Sequence, residues 1–381
     1  MNICYATLAV FPTRSAHSIH IMKICQALAD NAHEVLLLSP DYSSKAKEFP
    51  VEPNVGNIYD FYRVKQNFLN KKLSLSKVKG WKLLFGWSVV KEIKDKQLPV
   101  FTRDMEIAAI TTLFKIPTIL ELHHTDIKGK FVQQLLYKKM FKSPCLLKII
   151  VISEALKKAF INMGFPADML LVAHDGSDIP APAQPVIFSD TDKYIAEAGY
   201  VGQLYAGKGV ELVLQIAQAM KNVRFHVVGG NAADIETWRK SVRELGVENI
   251  VFHGFVPQQN ISAYINAFDV CLLPNQRRIG IWGNANINIS DYTSPLKMFD
   301  YMSHDKAIVA SALPVLKEVL NHNNAMLCDP EDVSQWEKAI LTLASDKVLR
   351  NKLEKTAGEN FRQHYTWKKR AEYIINQVFA N

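Results

Sequence analysis

Short apolar runs alternate along this chain with stretches in which apolar residues recur every three or four positions. A brief apolar run reads as a buried strand, and the longer spacing reads as one face of a helix. Residues 3–9 are accordingly a predicted strand and residues 12–18 a loop. A helix then carries Ile21, Ile24, Cys25 and Leu28 on one face, and residues 35–38 form the next strand. Further strands are expected at 100–102, 118–122 and 149–152. Strands separated by helices pack as parallel layers, which puts the chain in the α/β class.

The pattern breaks once. Pro180, Pro182 and Pro185 fall close together and run into polar Ser189 to Asp192, a composition that stiffens a linker, placed here at 181–196. A second series follows: a strand ending at Gly202, a helix over 210–220, and strands at 225–228, 250–252, 270–273 and 307–310. A chain of 381 residues exceeds what one core organises, so two domains are expected, 1–180 and 197–365. Two doubly wound domains facing one another, with a cleft between them, is the simplest architecture. Ligands of such sheets sit at the carboxyl ends of strands.

Composition adds exclusions. No apolar run approaches the length of a membrane span. The start lacks a basic segment followed by a long apolar core, so a cytoplasmic location is expected. Five widely spaced cysteines without a Cys-x-x-Cys pair argue against a disulfide framework and a zinc site. The net charge of +8 is concentrated early: segment 61–100 holds ten Lys/Arg against two acids, and segment 128–148 holds six lysines against none. In the first segment Phe68, Trp81, Phe85 and Trp87 lie among the lysines, a mixture that suits an anionic membrane surface. The alternative is a solvated helix face over an ordinary core. Nucleic acid is disfavoured, because no reader motif is present.

The chemistry concentrates in the second half. Ser294 and Pro295 read as a helix cap and first helical residue, with Leu296 and then Lys297 in the first turn and Asp300 one turn on. A cation at that end opposes the helix dipole, so an anion such as a phosphate is the expected partner. Asp300 could accept from the hydroxyls of a ribose. The alternative is an amphipathic helix with both side chains in solvent. Gly202-Gln-Leu-Tyr-Ala-Gly-Lys-Gly209 lies between a strand and a helix and lacks the spacing of a P-loop. Its glycines would let the backbone approach a ligand, and Lys208 would neutralise a phosphate. Gly229-Gly230 and His253-Gly254-Phe255 follow the next two strands.

Taken in order, Gly202 to Gly209, Val228-Gly-Gly230, His253-Gly-Phe-Val-Pro257, Ser294-Pro-Leu-Lys-x2-Asp-Tyr-Met302 and Ile308-Val-Ala-Ser311 resemble the donor half of retaining GT-B glycosyltransferases of family 4. Arg14 to His20, Glu121-Leu-His123, Val151 to Glu154, Ala173 to Asp178 and the tail Tyr365-Thr-Trp-x2-Arg370 extend the resemblance over the chain. The resemblance implies a GT-B fold whose terminal helix, about 366–381, returns to the first domain. It implies donor binding by Gly202, Gln203, Lys208, Gly229, Gly230, His253, Gly254, Phe255, Val256, Tyr292, Ser294, Pro295, Leu296, Lys297 and Asp300. Asp300 takes the place of the ribose-binding glutamate. Tyr292 stands where another glutamate usually contacts the donor sugar, with Asp291 beside it as a substitute, and Gln203 stands where many members carry an arginine.

His123 or His124 corresponds to a histidine near the anomeric carbon, and Lys208 stabilises the leaving diphosphate. Ser15, His17, Arg103 and Asp126 fall on the acceptor side, and Asp175 and Gly176 shape a turn. No cofactor or metal is implied, and Asp-x-Asp does not occur. The implied activity is retaining transfer from a UDP- or GDP-sugar to a lipid-linked or surface-polysaccharide acceptor at the inner face of a bacterial plasma membrane. A nucleotide-sugar 2-epimerase, or a non-catalytic nucleotide-sugar-binding membrane-docking protein, are the alternatives.

Overall fold

The structure is a computed structural model that describes residues 1–13, 15–45, 48–49, 51–53, 55–75, 80–127, 131–278, 292 and 294–379. Arg14, Asp291 and Lys77, Lys79, Lys128 and Lys130 of the basic segments lie outside the described residues. The chain forms two compact units, one comprising 1–152, 156–173 and 367–381, the other 153–155 and 174–366.

The first unit carries β1 (Asn2–Ala6), α1 (Ala16–Asp30), β2 (Glu34–Asp41), α2 (Ile58–Tyr62), β3 (Leu69–Ser74), α3 (Trp81–Ile93), β4 (Val100–Thr102), α4 (Met105–Leu113), β5 (Thr118–Leu122), α5 (Phe131–Phe141), β6 (Leu146–Val151), most of α6 (Glu154–Asn162) and β7 (Leu170–Val172). Its seven strands are all parallel, in the order β3-β2-β1-β4-β5-β6-β7. The order reverses between β1 and β4, so the loops after these two strands diverge and open a crevice at their carboxyl ends. Cys4, Ala6, Leu38 and Val100 from the sheet pack on Phe85, Val89 and Ile93 of α3.

The second unit carries β8 (Ala196–Val201), α7 (Val210–Ala219), β9 (Val223–Val228), α8 (Ala232–Leu245), β10 (Ile250–Gly254), α9 (Gln258–Ala267), β11 (Val270–Leu273), α10 (Leu296–Ser303), β12 (Ala307–Ser311), β13 (Met326–Cys328), α11 (Val333–Ser345) and α12 (Lys347–Asn360). Its six strands are parallel in the order β10-β9-β8-β11-β12-β13. Both faces are covered: Tyr200, Phe225 and Trp336 pack on one side, Phe268, Phe299 and Met302 on the other. The final helix, α13 (Trp367–Phe379), belongs to the first unit, where the Lys368 carbonyl accepts from Asn31 Nδ2 at 2.9 Å.

The first strand ends at Ala6, earlier than the residues 3–9 expected, because Thr7 turns away: its hydroxyl donates to Asp104 and accepts from the Ala9 N–H. Three strands were not expected, namely β3, β7 and β13, and each is an outer strand of its sheet. Among the described residues no helix is long and apolar enough to cross a membrane.

Candidate active site

In the second unit the carboxyl ends of β8, β9 and β10 are tied together by backbone. The Gly202 N–H donates to the Val228 carbonyl at 2.9 Å and the Gly229 N–H to the Gly254 carbonyl at 2.8 Å. This approach requires glycine: Gly229 has φ +122°, and a Cβ there would stand 2.1 Å from the Gly202 oxygen. Gly209, at φ +89°, caps α7 with no side-chain bond to the helix, and its Cβ would meet the Pro274 oxygen at 1.9 Å. The first N–H groups of α7 therefore open at the end of β11, beside the point where the order of the strands reverses.

The α10 end differs from the expected cap. The helix begins at Leu296 with Pro295 in the cap position and no side-chain cap bond, while the Ser294 hydroxyl accepts from the Asp175 N–H at 3.1 Å. Its first turn holds no acidic residue. Lys297 turns inward: its Nζ is buried without a hydrogen-bond partner and lies 4.0 Å above the Tyr200 ring, whose hydroxyl donates to the Gln203 carbonyl at 2.6 Å. Burial, and then the neighbouring charge of Lys208, push the Lys297 pKa well below the ordinary lysine value. Lys208 lies 5.1 Å from the Tyr205 ring, and burial pushes it down to about 8. Two lysines with coupled charges, one a buried ammonium lacking any acceptor, sit between two uncapped helix ends. The arrangement is deficient in negative charge and is suited to an anion.

Asp300 lies one turn from Lys297, and its Oδ1 accepts from Ser177 Oγ at 2.5 Å. The Tyr292 carbonyl accepts from Ser153 Oγ at 3.2 Å, and Gln203 is exposed. Phe255 is exposed beside Gly254, and Val256 packs against the core. His253 is held from behind by a chain that the sequence did not reveal. Glu197 accepts from His226 Nε2 at 2.6 Å, so His226 presents Nδ1 as an acceptor to His253 Nε2 at 2.8 Å. Arg224 closes the chain with two bonds to Glu197, at 2.8 and 2.7 Å. Burial, then the neighbouring His226 ring, push His253 down to about 4, which keeps it a neutral anchor at the end of β10.

The first unit holds a different constellation. Glu121, fully buried at the end of β5, accepts from His123 Nε2 at 2.6 Å and from Arg370 at 3.1 Å, with His20 Nε2 at 3.2 Å. Burial would raise the Glu121 pKa, but Arg370, His20 and His123 overcome it and hold the carboxyl well below its ordinary range. The result is a carboxylate that fixes the tautomer and orientation of His123. His124 is aimed elsewhere, with Nδ1 accepting from the Asp126 N–H at 3.2 Å. His20, Glu121 and His123 have the donor types of a metal site, yet the Arg370 guanidinium already matches the carboxylate's charge. His20 and Arg370 stand in motifs that the sequence shows, but their partnership with Glu121 does not follow from it, because only the register of α1 and α13 against β5 brings them together.

Ser15 is the N-cap of α1, accepting from the Ser18 N–H at 3.2 Å. It lines, with His17, Tyr42, Phe49, Trp81 and Asp104, a cavity of about 530 Å³ at the carboxyl ends of β1, β2 and β4. Burial, then Arg103, His20 and His123, push His17 down to about 2. Arg103 and Asp126 are not among the residues lining this cavity.

Two doubly wound parallel units of this kind constitute the GT-B fold. Residues 196–346 match the family model of glycosyl transferases group 1. An uncharacterised glycosyltransferase of Methanocaldococcus jannaschii is 22% identical over 371 residues, covering 89% of this chain and 88% of the relative. Among solved structures, HepE of Anabaena in complex with UDP has a TM-score of 0.72 at 14% identity, with complete coverage of both chains. The lipopolysaccharide outer core galactosyltransferase WaaB has a TM-score of 0.69 at 14% identity, covering 100% of this chain and 99% of its own. Together these likenesses support glycosyltransferase activity in general terms.

Proposed function

We propose that this protein is a retaining glycosyltransferase of family 4 that moves a sugar from a UDP- or GDP-sugar to a lipid-linked or surface-polysaccharide acceptor at the cytoplasmic face of a bacterial membrane. The observation that carries this reading is the buried, unpartnered ammonium of Lys297 beside Lys208, at the carboxyl ends of β8 and β11. Cleavage of a nucleotide-sugar bond develops negative charge on the departing diphosphate. Two lysines and two open helix ends placed there stabilise it in a site already desolvated, which requires no divalent metal. The UDP bound by HepE supports the same class of donor.

His123, fixed by Glu121, is the proposed contact to the donor sugar near its anomeric carbon. Asp300 is the proposed ribose ligand, and Tyr292 and Gln203 mark the positions where donor choice departs from the family pattern. The test is transfer from a panel of UDP- and GDP-sugars with and without chelator, in wild type, Lys208→Ala and Asp300→Ala. Both variants should lose transfer while retaining the fold. Wild-type rates in both, or product formed by epimerising the donor without an acceptor, would refute the proposal.

A further inference from the structure

The helix α5 is poorly covered for one that lies on a parallel sheet. Seven of its eleven residues are apolar, yet only Tyr137 and Met140 are buried. Phe131, Val132 and Leu135 are 76%, 61% and 51% exposed. The end of α4 repeats this pattern, with Leu113 and the adjoining Phe114 exposed. Where α4 and α5 pack together there is a cavity of about 630 Å³, with Ala109, Leu113, Leu136 and Met140 in its wall and Lys115, Lys139 and Lys142 around it. A helix normally buries one apolar stripe. This one presents a second stripe outward.

The charge on this face is mostly of one sign: α4 carries one acid, Glu106, whose Oε1 accepts from Gln133 Nε2 of α5 at 3.2 Å, and the remainder is basic. Residues 107–120 and 131–153 contain five lysines and no acid. Lys148 donates to the Asp168 carbonyl at 2.6 Å, whereas Lys115, Lys138, Lys139 and Lys142 are exposed, and among the described residues none of the four forms an ion pair. Along α5, Phe131, Leu135, Lys138 or Lys139, and Lys142 follow one another at intervals of three and four, so one strip of helix surface passes from apolar to basic. Lys115 precedes β5 and Lys142 precedes β6. The basic end therefore lies at the amino edge of the sheet, opposite the edge where His17, His123 and Asp104 follow their strands.

We infer that the face formed by α4 and α5 docks on an anionic membrane surface, with lipid phosphates at Lys115, Lys139 and Lys142 and the exposed apolar side chains in the headgroup boundary. An interfacial helix needs a wide apolar face flanked by cations, which is what this strip supplies. The inference deepens the proposed placement at a membrane and rests on that reading, but it uses none of the transfer chemistry.

The test is flotation of the full chain with vesicles of phosphatidylcholine, alone or mixed with phosphatidylglycerol. Wild type should float with the mixed vesicles. At roughly fivefold per lysine, the variant Lys115→Gln/Lys139→Gln/Lys142→Gln should lose on the order of 100-fold in partitioning. Phe131→Ser/Leu135→Ser should also detach, while both variants bind UDP as wild type does. Equal flotation on the two lipids, no flotation of wild type, a lysine variant that floats unchanged, or displacement by free inorganic phosphate would each overturn the inference. Transfer to a soluble acceptor is measured on the same preparations. Flotation without transfer refutes the proposed function alone, and transfer without flotation refutes this surface alone.

Discussion

The ammonium of Lys297 rests 4.0 Å from the centre of the Tyr200 ring and has no hydrogen-bond acceptor, an arrangement that leaves the free protein with a cation it cannot comfortably keep charged. The ring face compensates in part, since a cation over an aromatic ring gains about 2 kcal/mol when desolvated. A diphosphate would favour the charged form. Lys208, pushed down to about 8 by burial, would respond in the same direction. Because the folded lysine values lie below the unfolded one, the unfolded chain binds more protons, and the stability of the free protein rises with pH from about 8 toward the ordinary lysine value. UDP binding has the opposite dependence: it should weaken above pH 8 and, at pH 8, take up about half a proton on account of Lys208 alone. Calorimetric titration in buffers of different ionisation enthalpy measures this directly. A binding enthalpy independent of buffer would contradict it.

The same geometry separates stability from function. In Lys297→Met the apolar stem is retained and the buried unpaired charge removed, so the urea midpoint should hold or rise. UDP affinity should fall by tenfold or more, since a charge-assisted hydrogen bond contributes about 1.5 to 3 kcal/mol. A variant that lost stability and kept its affinity would show that Lys297 is a packing residue.

The inner strands were legible because burial on both faces demands continuous apolar sequence, as in Val270-Cys-Leu-Leu273 and Ala307-Ile-Val-Ala-Ser311. The edges were not. Leu69-Asn-Lys-Lys-Leu-Ser74 forms β3 with both faces largely solvated, so it lacks the run that marks a strand, and its lysines blunt the exposed edge. The glycine turns and Lys297 could be read from local spacing. The partners of His253 and Glu121 could not, since Glu197, His226, His20 and Arg370 reach them only through the register of the strands and the packing of α1 and α13.

Removing Arg370 tests the constellation in the first unit. Glu121 is fully buried, so Arg370→Met leaves its carboxylate without the guanidinium that matches its charge, a loss of about 3 to 5 kcal/mol. The double variant Glu121→Gln/Arg370→Met should recover much of that loss, because no uncompensated charge remains. The carboxylate's contribution is present above its unfolded pKa and vanishes as pH falls through its depressed folded value, so the gap between wild type and Arg370→Met should narrow in acid. Urea melts of the three proteins at neutral and acidic pH decide this. A constant gap would mean that Arg370 stabilises by packing on Trp367 and not by charge.

Asp300 offers the sharpest test of the nucleotide itself. Its Oδ1 is engaged by Ser177 Oγ at 2.5 Å, a bond that orients the carboxylate from one side. If the carboxylate receives the ribose hydroxyls, wild type should prefer UDP over the dideoxy analogue lacking both hydroxyls by tenfold or more, in keeping with about 1.5 to 3 kcal/mol per charged hydrogen bond. Asp300→Ala should bind the two ligands equally. Ser177→Ala, which removes this one bond and keeps the carboxylate, should retain the preference and lose at most a small part of the affinity. Discrimination that survives in Asp300→Ala would move ribose recognition to another residue of the same strand ends and leave Asp300 as the partner that fixes Ser177.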